Sequence, residues 1–232
     1  MSRLLAVARL HTVAWRGTLL WPWVILSFSF MVNLALFASI MDAAEEKPVT
    51  GGLMSIFVVT LVLFVSAVTQ IFPYALGLGV TRRTFYAATA LVAVAVSFGF
   101  AIPLYALMLI ENATGGWGIG LRFFGVKLAT VGGDNPAQIL VYAVLMLLMT
   151  FLGMFIGVVY VRWRVNGALT LTAVAILVPG LLAALATWQG WWGAIGSWLG
   201  DQSVLSLYAG WPLVLVVAAA LAGLVTIRRA TA

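Results

Sequence analysis

The chain contains no cysteine and a single histidine. Without cysteine there are no disulfides and no thiolate metal sites, and the redox state of the compartment leaves no mark on the sequence. His11 has no carboxylate pair or metal-ligand cluster beside it, so neither acid–base chemistry nor metal-assisted hydrolysis has a seat there. It reads as an interfacial side chain. No Gly-x-x-x-x-Gly-Lys-[Ser/Thr] phosphate loop occurs, which excludes ATP hydrolysis by that route on this chain. Charge is equally scarce: Asp, Glu, Lys and Arg make up 8% of the residues, against about 25% in a soluble domain. None of them falls in the middle of a long apolar run, where the polar residues are mainly Ser, Thr and Asn33. Ion-coupled pumps ordinarily hold ionisable groups at that depth, and a membrane hydrolase needs a nucleophile with its base. The expected role is therefore non-catalytic.

What is present is apolar. Hydrophobic residues are 64% of the chain, in runs long enough to cross a hydrocarbon core of about 30 Å at about 1.5 Å per helical residue. The expected spans are 19–41, 53–72, 84–110, 139–160, 168–188 and 211–227. They and their short connections use up the 232 residues, so the whole chain, 1–232, reads as one all-α transmembrane domain. The first run is longer than a signal-peptide core and no small-residue cleavage pattern follows it, so it is expected to stay as a span.

The charges give the direction. The six acids lie in alternate gaps: Asp42, Glu45 and Glu46 in the first, Glu111 and Asp134 in the third, Asp201 in the fifth. The remaining polar segments hold Arg3, Arg9, Arg16, Arg82, Arg83, Arg162, Arg164, Arg228 and Arg229 and no acid, while the acidic gaps hold only Lys47, Arg122 and Lys127. Lys and Arg near span ends stay on the cytoplasmic side. The expectation is six transmembrane helices with both termini cytoplasmic, in a multi-pass cell-membrane protein. The net charge of +6 then reads as a topology signal beside anionic membrane lipids, and no nucleic acid partner is expected.

Residues 2–17 carry Arg9 and Arg16 on one helical face among Leu4, Leu10, Val13 and Trp15, the pattern of an N-terminal interfacial helix. Pro103 and Pro179 interrupt the third and fifth spans and are expected to kink them. Two outer connections are apolar. Residues 112–136 contain Trp117, Ile119, Leu121, Phe123, Phe124, Val126 and Leu128, and 188–211 contain Trp188, Trp191, Trp192, Trp198, Tyr208 and Trp211. Trp and Tyr favour the headgroup level, so both are expected on or in the outer leaflet, as an aromatic belt or as a lid. The second is an interfacial or re-entrant element before the last helix; a re-entrant backbone must be covered by protein. Gly153 and Gly157 form a Gly-x-x-x-Gly pair in the fourth span, and Ala219 with Gly223 a weaker one in the sixth. Such pairs let helices approach closely, inside the subunit or at a subunit interface.

The inner connection between the second and third spans runs from Phe72 through Pro73, Tyr74, Ala75, Leu76, Gly77, Leu78, Gly79, Val80, Thr81, Arg82 and Arg83 to Tyr86. Pro73 is expected to close the second span, Gly77 and Gly79 to break the helix again, and Thr81 to cap the next one. Read from the residues alone, this is a tight turn with two positive-inside arginines. The run Ala-Leu-Gly-Leu-Gly-Val-Thr-Arg-Arg also resembles the cytoplasmic coupling segment of ABC-2 type transporter permeases. The layout is similar too, with 2–17 standing for the elbow helix and 188–211 for the outer element.

The resemblance implies a permease subunit that forms half of a translocation pathway. A second permease subunit, the same chain or a related one, would supply the other half. An ABC ATPase subunit on a separate chain would bind ATP and Mg, with no cofactor on this chain. It further implies a bacterial plasma membrane and export as the usual direction. Walls of aromatic, aliphatic and hydroxyl side chains suit an amphipathic or lipidic substrate. The alternatives left open are an ATP-independent small membrane transporter and a non-transporting scaffold subunit.

Overall fold

The computed structural model describes residues 15–40, 50–125 and 129–228. The expected interfacial helix at 2–17 lies almost wholly outside them. The described residues form six α-helices, α1 Trp15–Ile40, α2 Met54–Gly77, α3 Arg82–Ala113, α4 Gln138–Gln189, α5 Trp192–Asp201 and α6 Trp211–Ile227, with short π-helical turns at Gly116–Gly120 and Ser206–Gly210. Five helices are long and apolar enough to cross a membrane: Leu19–Ser39, Met54–Gly77, Arg82–Ala113, Gln138–Gln189 and Ser206–Ile227. Hydrophobic runs of this length leave the backbone no polar partner but itself, which is why they fold as helices.

α4 is the hub. Helices α2, α3 and α6 all pack chiefly on it, and α1 packs on α2. Close approach of α2 and α4 is built from glycine: a Cβ at Gly157 would sit 2.8 Å from Val68 Cβ and 3.1 Å from the Val65 carbonyl oxygen. Gly153 stands one turn earlier against Leu61 and Phe64. The structure thus places the Gly-x-x-x-Gly pair inside the subunit, against α2. Gly223 does the same for α6, where an added Cβ would meet the Tyr86 ring, and the Tyr86 hydroxyl donates to the Ala220 carbonyl at 2.8 Å.

Boundaries differ from expectation where the sequence carried a proline or a charge. α2 runs through Pro73 to Gly77, so Pro73 does not close it. Phe72 and Ala75, on either side, are fully buried, and the Phe72 ring packs edge-on against Phe85 at 5.2 Å. That packing offsets the missing proline N–H. α3 and α4 likewise continue through Pro103 and Pro179.

The break in the 52-residue α4 falls instead at Arg164, whose φ of 53° and ψ of −140° are not helical. The bend there is sharp. An added Cβ at Gly167 would meet Trp163 Cβ at 2.6 Å and the Val159 carbonyl oxygen at 3.1 Å. In a straight helix, residues eight apart are about 12 Å apart along the axis.

Candidate functional site: the α2–α3 turn and the opposite cap

One end of the bundle brings Arg82 and Arg83 beside Arg228. The α2–α3 connection is only Leu78–Thr81, and each residue in it has a defined job. Gly79 takes φ of +76°, the left-handed conformation that glycine reaches without a side-chain penalty. The Val80 N–H bonds back to the Ala75 carbonyl at 3.1 Å and the Gly79 N–H to Leu76 at 2.9 Å, a Schellman stop that satisfies the last carbonyls of α2. Thr81 is extended and its Oγ1 accepts from the Thr84 N–H at 3.2 Å, the N-cap that starts α3. Gly77 remains helical, so the helix is broken once rather than twice.

This ordered turn leaves Tyr74 and Leu78 exposed, at 61% and 57%, beside exposed Gly77, Gly79, Thr81 and Arg83. Val80 is half-buried and packs on the core. The two arginines separate. Arg82 Nη1 donates to the Arg228 carbonyl at 3.2 Å, tying the turn to the end of α6. Arg83 is exposed. Both stand in the first turn of α3, where the helix dipole disfavours a cation by roughly 0.3–1 kcal/mol.

The opposite end is closed by a cap that sequence reasoning missed. Glu111, read as one acid of a polar gap, is fully buried in the last turn of α3. Its Oε2 accepts from the Trp117 indole N–H at 3.2 Å and from the Phe123 and Phe124 backbone N–H groups at 2.9 Å each. Its Oε1 accepts from the Gly125 N–H at 2.8 Å. Four donors converge on one carboxyl group and fold the connection back onto the bundle. Leu121, Phe123 and Phe124 are buried there, and Phe30 of α1 packs against Trp117 and Phe123 at 4.8 and 5.2 Å.

Further ties hold the cap. Tyr142 donates to the Phe124 carbonyl at 2.8 Å, Tyr105 to the Asp134 carbonyl at 2.6 Å, and the Gln138 side-chain amide bridges Ala129 and Val131. Asn33 of α1 joins the same end, accepting from Thr50 and donating to Ser29. The described aromatic residues of 112–136 thus lie mainly on protein, closing this end of the bundle.

Residues 188–211 behave differently. α5 buries none of its residues, and Trp188 is 82% exposed. Trp198 and Trp211 pack on each other at 5.7 Å. Among the described residues no group of three or more His, Cys, Asp or Glu gathers. No family model, curated protein or solved structure matches the chain.

Proposed function

We propose that this chain is the membrane subunit of an ABC transporter of the ABC-2 permease type. It crosses a cell membrane, forms half of a pathway for an amphipathic or lipidic substrate, and is driven by an ATPase on a partner chain through the α2–α3 turn.

The supporting observation is the turn itself. A Schellman stop and a threonine cap fix its backbone, while Tyr74, Leu78 and Arg83 are exposed among the described residues. A rigid apolar tip with a cation set against its own helix dipole is stabilised by an external acidic surface. α2 at 24 residues is about 36 Å long and α3 at 32 residues about 48 Å. Both exceed a core of about 30 Å, which carries their shared tip clear of the lipid.

Six crossings follow if α4 counts as two. The segments 138–163 and 165–189 on either side of Arg164 are each about 38 Å long. The second is apolar and open, with Ile176 and Leu181 exposed by 67% and 69%. Apolar area on that scale is covered by lipid or by a second permease subunit. Six crossings would put both termini on the arginine side, and the Lys/Arg bias favours the cytoplasm for that side, where an ATPase has access.

The test is a photo-activated cross-linking residue at position 78, compared with one at Trp198 near the other end. A phosphate-loop ATPase of the same cell should be captured from position 78 alone. Arg83→Gln should lower that yield about tenfold or more, since truncating a buried charged contact is worth about 2–5 kcal/mol. Equal capture at both positions, or capture indifferent to Arg83, would contradict the coupling role.

A further inference from the structure

The bend at Arg164 holds a groove that the coupling role does not use. Val159, Trp163, Leu171 and Val174 give it apolar walls, Asn166 and Thr170 lie between them, and the cavity measures about 330 Å³. Small-molecule sites span about 300–1,000 Å³. The Arg162 guanidinium lies 4.2 Å from the centre of the ring of Trp163, one of the lining residues, and is held there by the ring's π-face. Two residues on, Arg164 takes a left-handed φ of 53°, a strained conformation for a non-glycine residue that clusters at binding sites. No acid occurs in the sequence between Asp134 and Asp201, so neither arginine has a carboxylate on its own helix.

We propose that this groove binds one anionic phospholipid of the inner leaflet. Arg162 and Arg164 would receive the phosphate, and an acyl chain would lie along Val159, Leu171 and Val174. The match is one of chemistry: an apolar trough with an arginine stacked on one of its lining side chains fits a molecule that is apolar along its length and anionic at its head. Basic pockets between helices on the cytoplasmic side hold lipid headgroups by the same physics. A free phosphate makes no use of the apolar walls. The inference rests on the membrane orientation given above, with the arginine end inward, and not on the ATPase.

The experiment is a titration of the purified, delipidated full chain with phosphatidylglycerol or phosphatidylcholine, read by native mass spectrometry. The wild type should retain phosphatidylglycerol in preference. The double variant Arg162→Gln, Arg164→Gln should bind it roughly thirtyfold more weakly, at about fivefold for each cation. Val174→Trp fills the trough and leaves both arginines, so it should lower retention of both lipids. Inorganic phosphate should not displace the bound lipid.

Equal retention of the two lipids by the wild type would overturn the proposal. So would full displacement by inorganic phosphate, which would make the site a free-anion site. If the double variant does not reach the membrane, Val174→Trp decides alone, and unchanged retention refutes the groove. Lipid retention is read without ATP, so a chain that binds lipid but recruits no ATPase refutes only the permease reading.

Discussion

Glu111 shows what one side chain can be asked to hold. Its two oxygens take four hydrogen bonds from Trp117, Phe123, Phe124 and Gly125. Glu111→Gln replaces one of those oxygens with an NH2 group, which must face at least one N–H donor. A buried donor left without its acceptor costs roughly 1–3 kcal/mol, so this variant should melt several degrees lower in detergent and expose 114–125 to protease earlier. An unchanged melting temperature and digestion pattern would mean the cap is held by its aromatic packing instead. The sequence hid this residue because charge near a span end reads as a boundary marker, and nothing local says that a carboxyl group turns inward. At the other end the pair Arg82–Arg83 read as one feature, yet only Arg82 bonds to the Arg228 carbonyl. Arg82→Gln should loosen the end of α6 and lower thermal stability by about 1 kcal/mol. Arg83→Gln should leave it unchanged or raise it by up to about 1 kcal/mol, because it removes a cation from the start of a helix.

Helix packing gives a sharper contrast between glycines. Gly157 lies on α2, where an added Cβ collides with Val68 and the Val65 backbone, whereas Gly180 has open space around it. Gly157→Leu should destabilise by about 1–3 kcal/mol or more through overpacking. Gly180→Ala should be neutral or stabilising by up to about 1 kcal/mol, because alanine favours the helix. Thermal unfolding of the two variants in detergent checks both signs, and a tolerated Gly157→Leu would contradict the α2–α4 contact.

Elements were legible wherever hydrophobicity alone set them. The last span, expected at 211–227, is α6 at Trp211–Ile227. They were less legible where a local breaker competed with burial. Pro73 lost to the packing of Phe72 and Ala75. The charged stretch from Arg162 to Asn166 does hold a break in the helix, since helix stops require an unwound residue and not merely a polar one. Arg164 alone supplies it, and arginine carries no sequence signal for a left-handed conformation.

For the molecule as a whole, the alternation of arginine and acid is a statement about sidedness that the chain's lack of cysteine makes easy to test. Single cysteines at Asn135 and Ser203 should react with an impermeant thiol reagent in intact cells. Cysteines at Leu78 and Asn166 should react only after the membrane is opened. Reaction at position 166 from outside would remove the bend at Arg164 as an inner turn, and with it the six-crossing arrangement.

The proposed role in transport would depend on energy supplied from elsewhere, so the most direct measurement is ATP hydrolysis by the tagged full chain purified from its native membrane. The account predicts Mg-dependent hydrolysis that co-purifies with the wild-type chain. It also predicts that this activity is lost in Leu78→Asp, which places a charge on the exposed tip while the chain is recovered in the same amount. A wild-type preparation without hydrolysis or any phosphate-loop subunit, or a Leu78→Asp preparation that keeps both, would contradict it.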